Sequence, residues 1–175
     1  MGYLHLAKIP FKKSVMALIR KIREEDNAEV ASLIRSSLED MGVPKVGTAY
    51  ADIALNDMFH AYDRPKAVFY VAESQRNIVG CVGIAQLEQG DEKVCELQKM
   101  YVSAAERGKG VAGRLLQHCF TAAIAHGYQS CYLETLPEML AAQSLYKKHG
   151  FCYIDRPLGD TGHTACTVRM LKTLE

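Results

Sequence analysis

Arg107-Gly108-Lys109-Gly110-Val111-Ala112-Gly113 is the stretch of this chain best suited to hold a ligand. An alternating run, VCELQKMYV, ends before it at Val102, and a strongly helical segment, RLLQHCFTAAIAHG, lies behind it. A helix that opens on glycines presents unpaired backbone N–H groups at the positive end of its dipole, and such an end binds phosphate or pyrophosphate. Two spacings can be read here. Gly108, Gly110 and Gly113 spell G-x-G-x-x-G, the dinucleotide fingerprint, with Glu134 about twenty residues on, where a ribose-binding acid belongs. Arg107, Gly110 and Ala112 spell R-x-x-G-x-A, the pyrophosphate loop of a different cofactor class.

Three features weigh against the dinucleotide. A strand buried on both faces of a parallel sheet is a continuous apolar run, yet this one carries Glu96, Gln98 and Lys99. The dinucleotide turn follows its strand at once, yet Ser103 to Arg107 intervene. Only 41 residues follow Glu134, too few to complete a doubly wound sheet and add a substrate domain.

The elements that must position this loop follow from periodicity. Residues 17–23 alternate as a first strand. Asp26 with Glu29 forms a capping-box pattern ahead of Val30, Leu33, Ile34, Leu38 and Met41, and Gly42 ends that helix. Thr48 is placed to cap a second helix carrying Ile53, Leu55, Met58, Phe59 and Tyr62, which must stop before Pro65. Residues 67–73 and 78–88 read as a hairpin around Ser74-Gln75-Arg76-Asn77. The 94–103 strand, a helix over 108–126 with apolar residues at 111, 115, 116, 119, 120 and 123, and a strand over 131–136 follow. Pro137 suits the first turn of a further helix that runs to Gly150. Residues 151–154 and 164–171 read as two last strands around a loop rich in Gly, Asp and Thr.

Composition sets the outer bounds. A chain of 175 residues, 49% hydrophobic and 23% charged, reads as one globular domain over 16–175. Residues 1–15 read as an N-terminal extension or expression remnant, because Met16 is an equally good start. The net charge of +1 gives no electrostatic reason to expect nucleic acid or an anionic membrane as partner. Six cysteines without a C-x-x-C pair read as free, mostly buried thiols of a reducing cytoplasm. Val15 to Ile19 is too short for a signal-peptide core, no run is long enough to span a membrane, and the histidines lack metal-site spacing.

The order β-α-α-β-β-β-α-β-α-β-β, the R-x-x-G-x-A loop, and Leu145-Tyr146-Lys147-Lys148-His149-Gly150-Phe151 about forty residues later together resemble the GCN5-related N-acetyltransferase (GNAT) superfamily over roughly residues 16–172. The resemblance implies a mixed α/β fold, with a mostly antiparallel sheet of about seven strands flanked by about four helices. It implies acetyl-CoA as acetyl donor. It places Met100, Tyr101 and Val102 where the central strand parts from its neighbour to bind the pantetheine arm. It places Arg107, Gly108, Lys109, Gly110, Val111 and Ala112 around the pyrophosphate, with Gly113 among the cofactor-binding residues of the same loop. One departure stands out: Met139, three residues before Ala142, occupies the place of an asparagine found in many members.

Acetyl transfer to an amine requires a deprotonated amine, donors for the oxyanion, and a proton for the departing thiolate. Glu96 matches the family's glutamate base and, by two-residue alternation, shares a strand face with Gln98 and Met100; alternatively it is a solvent-facing strand residue paired with a lysine. Tyr146 matches the tyrosine that faces the thiol and is the candidate acid that protonates the departing thiolate; alternatively it is a core aromatic in register with Ala142 and Leu145. Glu134 is a second carboxylate near the acceptor amine or an ordinary strand residue, and His163 binds the acceptor or sits in a plain turn. Asp52, Asp57, Tyr50 and Tyr62 are available to a cationic amine. The expected activity is direct N-acetylation of a primary amine on a small molecule, amino acid derivative or peptide. The alternative is an acetyl-CoA sensor with little turnover. Exposed strand edges near the C-terminus suit a homodimer.

Overall fold

The computed structural model describes residues 16–43 and 45–175; the reading of 1–15 as an extension lies outside them. The chain runs through β1 (Leu18–Lys21), α1 (Asn27–Asp40), α2 (Met58–Ala61), β2 (Val68–Ser74), β3 (Asn77–Gln86), β4 (Val94–Val102), α3 (Val111–Ala125), β5 (Ser130–Thr135), α4 (Leu140–Lys148), β6 (Cys152–Tyr153) and β7 (Val168–Thr173). Among the described residues seven strands form one sheet in the order β1-β2-β3-β4-β5-β7-β6. Every neighbouring pair is antiparallel except β4 and β5, which the α3 crossover makes parallel.

The two faces of the sheet bury different helices. On one, Val82, Ile84, Cys95 and Leu97 pack against Val111, Leu115, Leu116, Cys119, Phe120 and Ala123 of α3, the six positions its periodicity marks. Burying one leucine contributes roughly 1.5–3 kcal/mol, so Leu115 and Leu116 alone hold the glycine-opened helix firmly to the sheet. On the other face, Val71, Cys81 and Ala85 pack against Val30, Ile34 and Leu38 of α1 and Met58 of α2. The β2–β3 hairpin turns at Gln75 and Arg76, whose φ angles of 51° and 66° match the twist of the flanking strands.

Three local expectations are corrected. The Asp26–Glu29 capping box does not form. Asp26 instead grips Arg20 through two bonds of 2.6 and 2.9 Å, and Glu29 accepts the Ile78 N–H at 2.8 Å. The second helix breaks into single 3-10 turns at Ala49–Ala51 and Ile53–Asn56 before the short α2. Thr48 caps the first turn, and Asp52 between the turns is extended because its carboxylate is drawn to Lys99 and His163, leaving Ile53 88% exposed. Pro137 lies before α4 rather than in its first turn, and Met139 stands at the N-cap. Four of the six cysteines are buried as expected, but Cys152 is exposed and Cys166 only half-buried.

Candidate active site

The sheet opens beside the loop. The β4–β5 register runs Val94 to Ser130, Cys95 to Cys131 and Glu96 to Tyr132, and stops there. β4 continues to Val102 on β3 alone, so Met100, Tyr101 and Val102 lie on a segment parted from β5. Within that segment β4 bulges. Gln98 pairs with Gly83 and Tyr101 with Cys81, so Lys99 and Met100 together face the single residue Val82. Lys99 absorbs the extra residue with a φ of 52°. The bulge resets the alternation. Glu96 and Gln98 point to the α1/α2 side, as expected, but Met100 packs with the α3 core, so it does not share their face.

α3 begins at Val111 behind Gly110, whose φ is 79°, and Gly108 has a φ of 76°. Both are in the left-handed region that suits glycine, and a Cβ on either would enter open space. Among the described residues, no acceptor takes the backbone N–H of residues 108–113, which leaves a concave row of donors. The two cations of the loop turn elsewhere. Arg107 Nε donates to Val102 O at 3.1 Å, and Lys109 pairs with Glu106 at 3.0 Å. Gly113 has a different reason to be small, because a Cβ there would lie 3.1 Å from His149 Nε2. These donors suit a pyrophosphate, and the parted β4 backbone suits an extended amide-bearing arm.

Glu96 is not solvent-facing. It is 4% exposed, and among the described residues no lysine pairs with it. Burial pushes its carboxyl up to about 7, and nearby Glu134 adds to the rise, while the Gln98 hydrogen bond and the charges of His163 and Lys99 restrain it. A carboxyl poised there can take a proton near neutral pH. Glu134 is occupied. Its Oε1 accepts from Tyr132 at 2.5 Å, its Oε2 accepts from Thr161 at 2.7 Å, and Arg169 Nε lies 3.3 Å away without hydrogen-bond alignment. It thus ties β5 to β7 and to the loop before β7 that carries His163.

That loop also reaches across the site. His163 Nε2 lies 3.1 Å from Asp52 Oδ2, and Lys99 Nζ binds the same oxygen at 2.5 Å. Burial alone would raise the Asp52 carboxyl, but His163 and Lys99 together hold it below its usual range. Asp52, Lys99 and His163 therefore clasp three segments distant in sequence. Of the other acceptor candidates, Tyr62 reaches Gln98, whereas Tyr50 bonds Glu39, and Asp57 bonds Asn27 and His60 at the surface. Tyr146 is buried beside Phe151, with ring centroids 5.7 Å apart, so it is core as well as candidate. Burial raises its phenol well above the usual value, so it stays protonated. Met139 sulfur accepts the Thr135 hydroxyl at 3.5 Å.

Sequence reasoning passed over Lys99, Gln98, Thr161 and Arg169. Arg169 sits directly opposite Glu134 in the β5–β7 register, a signal that needs the strand pairing. Lys99 needs the bulge.

The sequence profile of the acetyltransferase (GNAT) family matches residues 18–151. An uncharacterised N-acetyltransferase of Escherichia coli K12, YjgM, is 38% identical over 158 residues, which is 90% of this chain and 95% of that protein. Human N-acetylaspartate synthetase is 35% identical over 68% of this chain, which spans 39% of that longer protein. Among solved structures, a GNAT-family acetyltransferase from Staphylococcus aureus Mu50 superposes with a TM-score of 0.80 at 22% identity, covering 91% of this chain and 99% of its own. The PaiA N-acetyltransferase of Thermoplasma acidophilum, solved with coenzyme A, gives 0.74 at 18% identity, covering 91% and 99%. The profile runs through the parted β4 and the glycines that open α3, the dinucleotide reading of those glycines falls away, and the chain belongs to the GNAT family of acetyltransferases.

Proposed function

We propose that this N-acetyltransferase uses acetyl-CoA and transfers its acetyl group directly to the primary amine of a small molecule, amino acid derivative or peptide, with Glu96 as general base. The observation that carries the reading is the buried Glu96 carboxyl, pushed up to about 7, where β4 and β5 part. Acetyl-CoA supplies an activated thioester. The row of amides from Gly108 to Gly113, with Arg107, Lys109, Val111 and Ala112 in the same loop, receives the pyrophosphate, and Met100, Tyr101 and Val102 face the arm. Glu96 takes the proton of the acceptor amine as the C–N bond forms and the C–S bond breaks. Tyr146, protonated and with a raised pKa, serves the departing thiolate as a hydrogen-bond donor more readily than as a full proton source.

The names of relatives support amino acid acceptors. One is an N-acetylaspartate synthetase, and an N-acetylglutamate synthase from Neisseria gonorrhoeae shares the fold with a TM-score of 0.71 at 19% identity. Glu134 and His163 border the acceptor space, Glu134 as an anchor of its wall and His163 as part of the clasp on Asp52. A cytoplasmic location agrees with four buried free thiols; among the described residues no helix is long and apolar enough to cross a membrane. A homodimer through the free edge of β6, which ends the sheet, agrees with the topology. The test is calorimetric titration with acetyl-CoA, followed by thiol release with L-aspartate, L-glutamate and a panel of peptides and polyamines. Release with one amine class, abolished in Glu96→Gln, is the expected result. Tight binding with no release from any amine would establish the sensor alternative instead.

A further inference from the structure

A line of hydrogen bonds runs from the end of α2 through β4 into the Glu96 carboxylate. The Tyr62 hydroxyl lies 2.5 Å from Gln98 Oε1, and Gln98 Nε2 lies 2.6 Å from Glu96 Oε2. Chemistry fixes its direction. An ionised carboxylate only accepts, so the amide must turn its NH2 toward Glu96; its oxygen then faces Tyr62, and the phenol must donate. Tyr62 is suited to that role, because burial, and next the charge of Glu96, hold its phenol well above the ordinary value. The ring cannot swing away. It packs on Phe69 with centroids 4.9 Å apart, and opposite it Gly83 leaves so little room that an added Cβ would lie 2.6 Å from the Tyr62 ring. A flipped Gln98 amide would set oxygen against oxygen at the carboxylate.

We infer that Gln98 and Tyr62 are positioning residues for the base: they hold Glu96 Oε2 in one orientation and favour its ionised form, leaving Oε1 to receive the proton of the acceptor. The role assigned to Oε1 rests on the reading of Glu96 as base. No hydrogen bond among the described residues reaches that oxygen. The groups that surround the carboxyl are Gln98 and Lys99 from β4, Glu134 and the Cys131 thiol from β5, His163 and the Cys166 thiol from the loop before β7, and Tyr62 from the end of α2. Of these, Gln98 is the one that donates a hydrogen bond to it.

The titration needs no knowledge of the acceptor. The full chain, labelled with 13C at glutamate carboxyls, is titrated by NMR, and the Glu96 signal is identified by its loss in Glu96→Gln. The wild-type midpoint is expected near 7. Gln98→Met removes the donor and should move that midpoint upward by roughly half a pH unit or more, because a bond to the charged form is lost. Tyr62→Phe keeps the ring but frees the amide to flip, and should move the midpoint the same way by less. Acetyl-CoA affinity should stay within about twofold in both variants, a readout that general loosening of the fold would disturb. Wild-type midpoints in both variants, or downward shifts, overturn the inference. Thiol release by Glu96→Gln separates the two readings. Undiminished turnover there removes Glu96 as base, whereas a dead Glu96→Gln with unmoved midpoints in the other two removes only the positioning role.

Discussion

Gln98 and Lys99 are neighbours in β4, yet both side chains reach partners on the α1/α2 side of the sheet: Gln98 meets Tyr62 at 2.5 Å and Lys99 meets Asp52 at 2.5 Å. In a regular strand consecutive side chains point to opposite faces. The left-handed Lys99 and the bulge it creates lift that restriction, so one strand delivers the buried Glu96 carboxyl, its amide partner and a buried cation within four residues. A non-glycine residue in that conformation costs of order 1–2 kcal/mol, and the ion pair with Asp52 offsets the strain.

Lys99→Met should therefore unfold at lower temperature than wild type. The substitution leaves the left-handed strain in place and leaves Asp52, whose carboxylate is held in its charged form, with His163 alone. Loss of a charge-assisted bond at a largely buried site costs about 1–3 kcal/mol. Lys99→Gly, which relieves the backbone while losing the same pair, should recover part of that loss. Thermal unfolding of both variants at pH 7 reads the difference.

Gly110→Asn should weaken acetyl-CoA binding by tenfold or more while the protein stays folded. Asparagine tolerates the left-handed region, so the backbone is not the cause. The Cβ has open space in the protein itself, so a loss of affinity reports crowding of the ligand at the amide row rather than a clash within the fold. Calorimetric titration, with circular dichroism as the folding control, checks this; unchanged affinity would place the pyrophosphate elsewhere.

Local signals were readable and non-local ones were not. The face of α3, the turn at Gln75 and Arg76, and the glycines at 108 and 110 each depend on neighbours within a few residues, and they stand in the structure where periodicity and turn chemistry put them. Asp52 is the opposite case. Its carboxylate belongs to Lys99 and His163, 47 and 111 residues away, and that link breaks a helix that the apolar spacing supports. Glu134 likewise finds Arg169 only once β5 and β7 pair, and the alternation that put Met100 beside Glu96 ignored a bulge that no local residue type announces. Glu96 was legible as a candidate, but its burial was not.

Asp26 is one of the carboxylates whose pairing makes stability depend on acid pH. Burial alone would raise its carboxyl, but two bonds from Arg20 and one from the Arg23 N–H outweigh it and hold the group below 3.8. A carboxyl depressed in the folded state stabilises above the unfolded value and loses that contribution as pH falls through the folded one. Asp26→Asn should accordingly melt several degrees below wild type at pH 7, by roughly 1–3 kcal/mol for charge-assisted bonds. The two melting temperatures should converge as pH falls through the depressed folded value of Asp26. A constant gap across the whole range would assign the loss to packing.

Glu96→Gln should gain stability as it loses function. The folded carboxyl titrates near 7 and the unfolded one near 4.5. Between those values the folded state keeps a proton that the unfolded state has released, so wild-type stability falls as pH rises through that window and levels off above it. Glutamine has no such proton, fills the same volume, and its amide oxygen can still accept from Gln98. The variant should match wild type near pH 4.5 and exceed it above pH 7, by at most roughly 3 kcal/mol, since each unit of pKa difference is worth 1.36 kcal/mol. For a domain of this size that is on the order of 5–10 °C in melting temperature. Melting curves at pH 5, 6, 7 and 8 read the slope directly. A parallel pair of curves would mean that Glu96 enters the folded protein already ionised, and a base ionised at pH 5 would show no acid limb near 7 in its turnover.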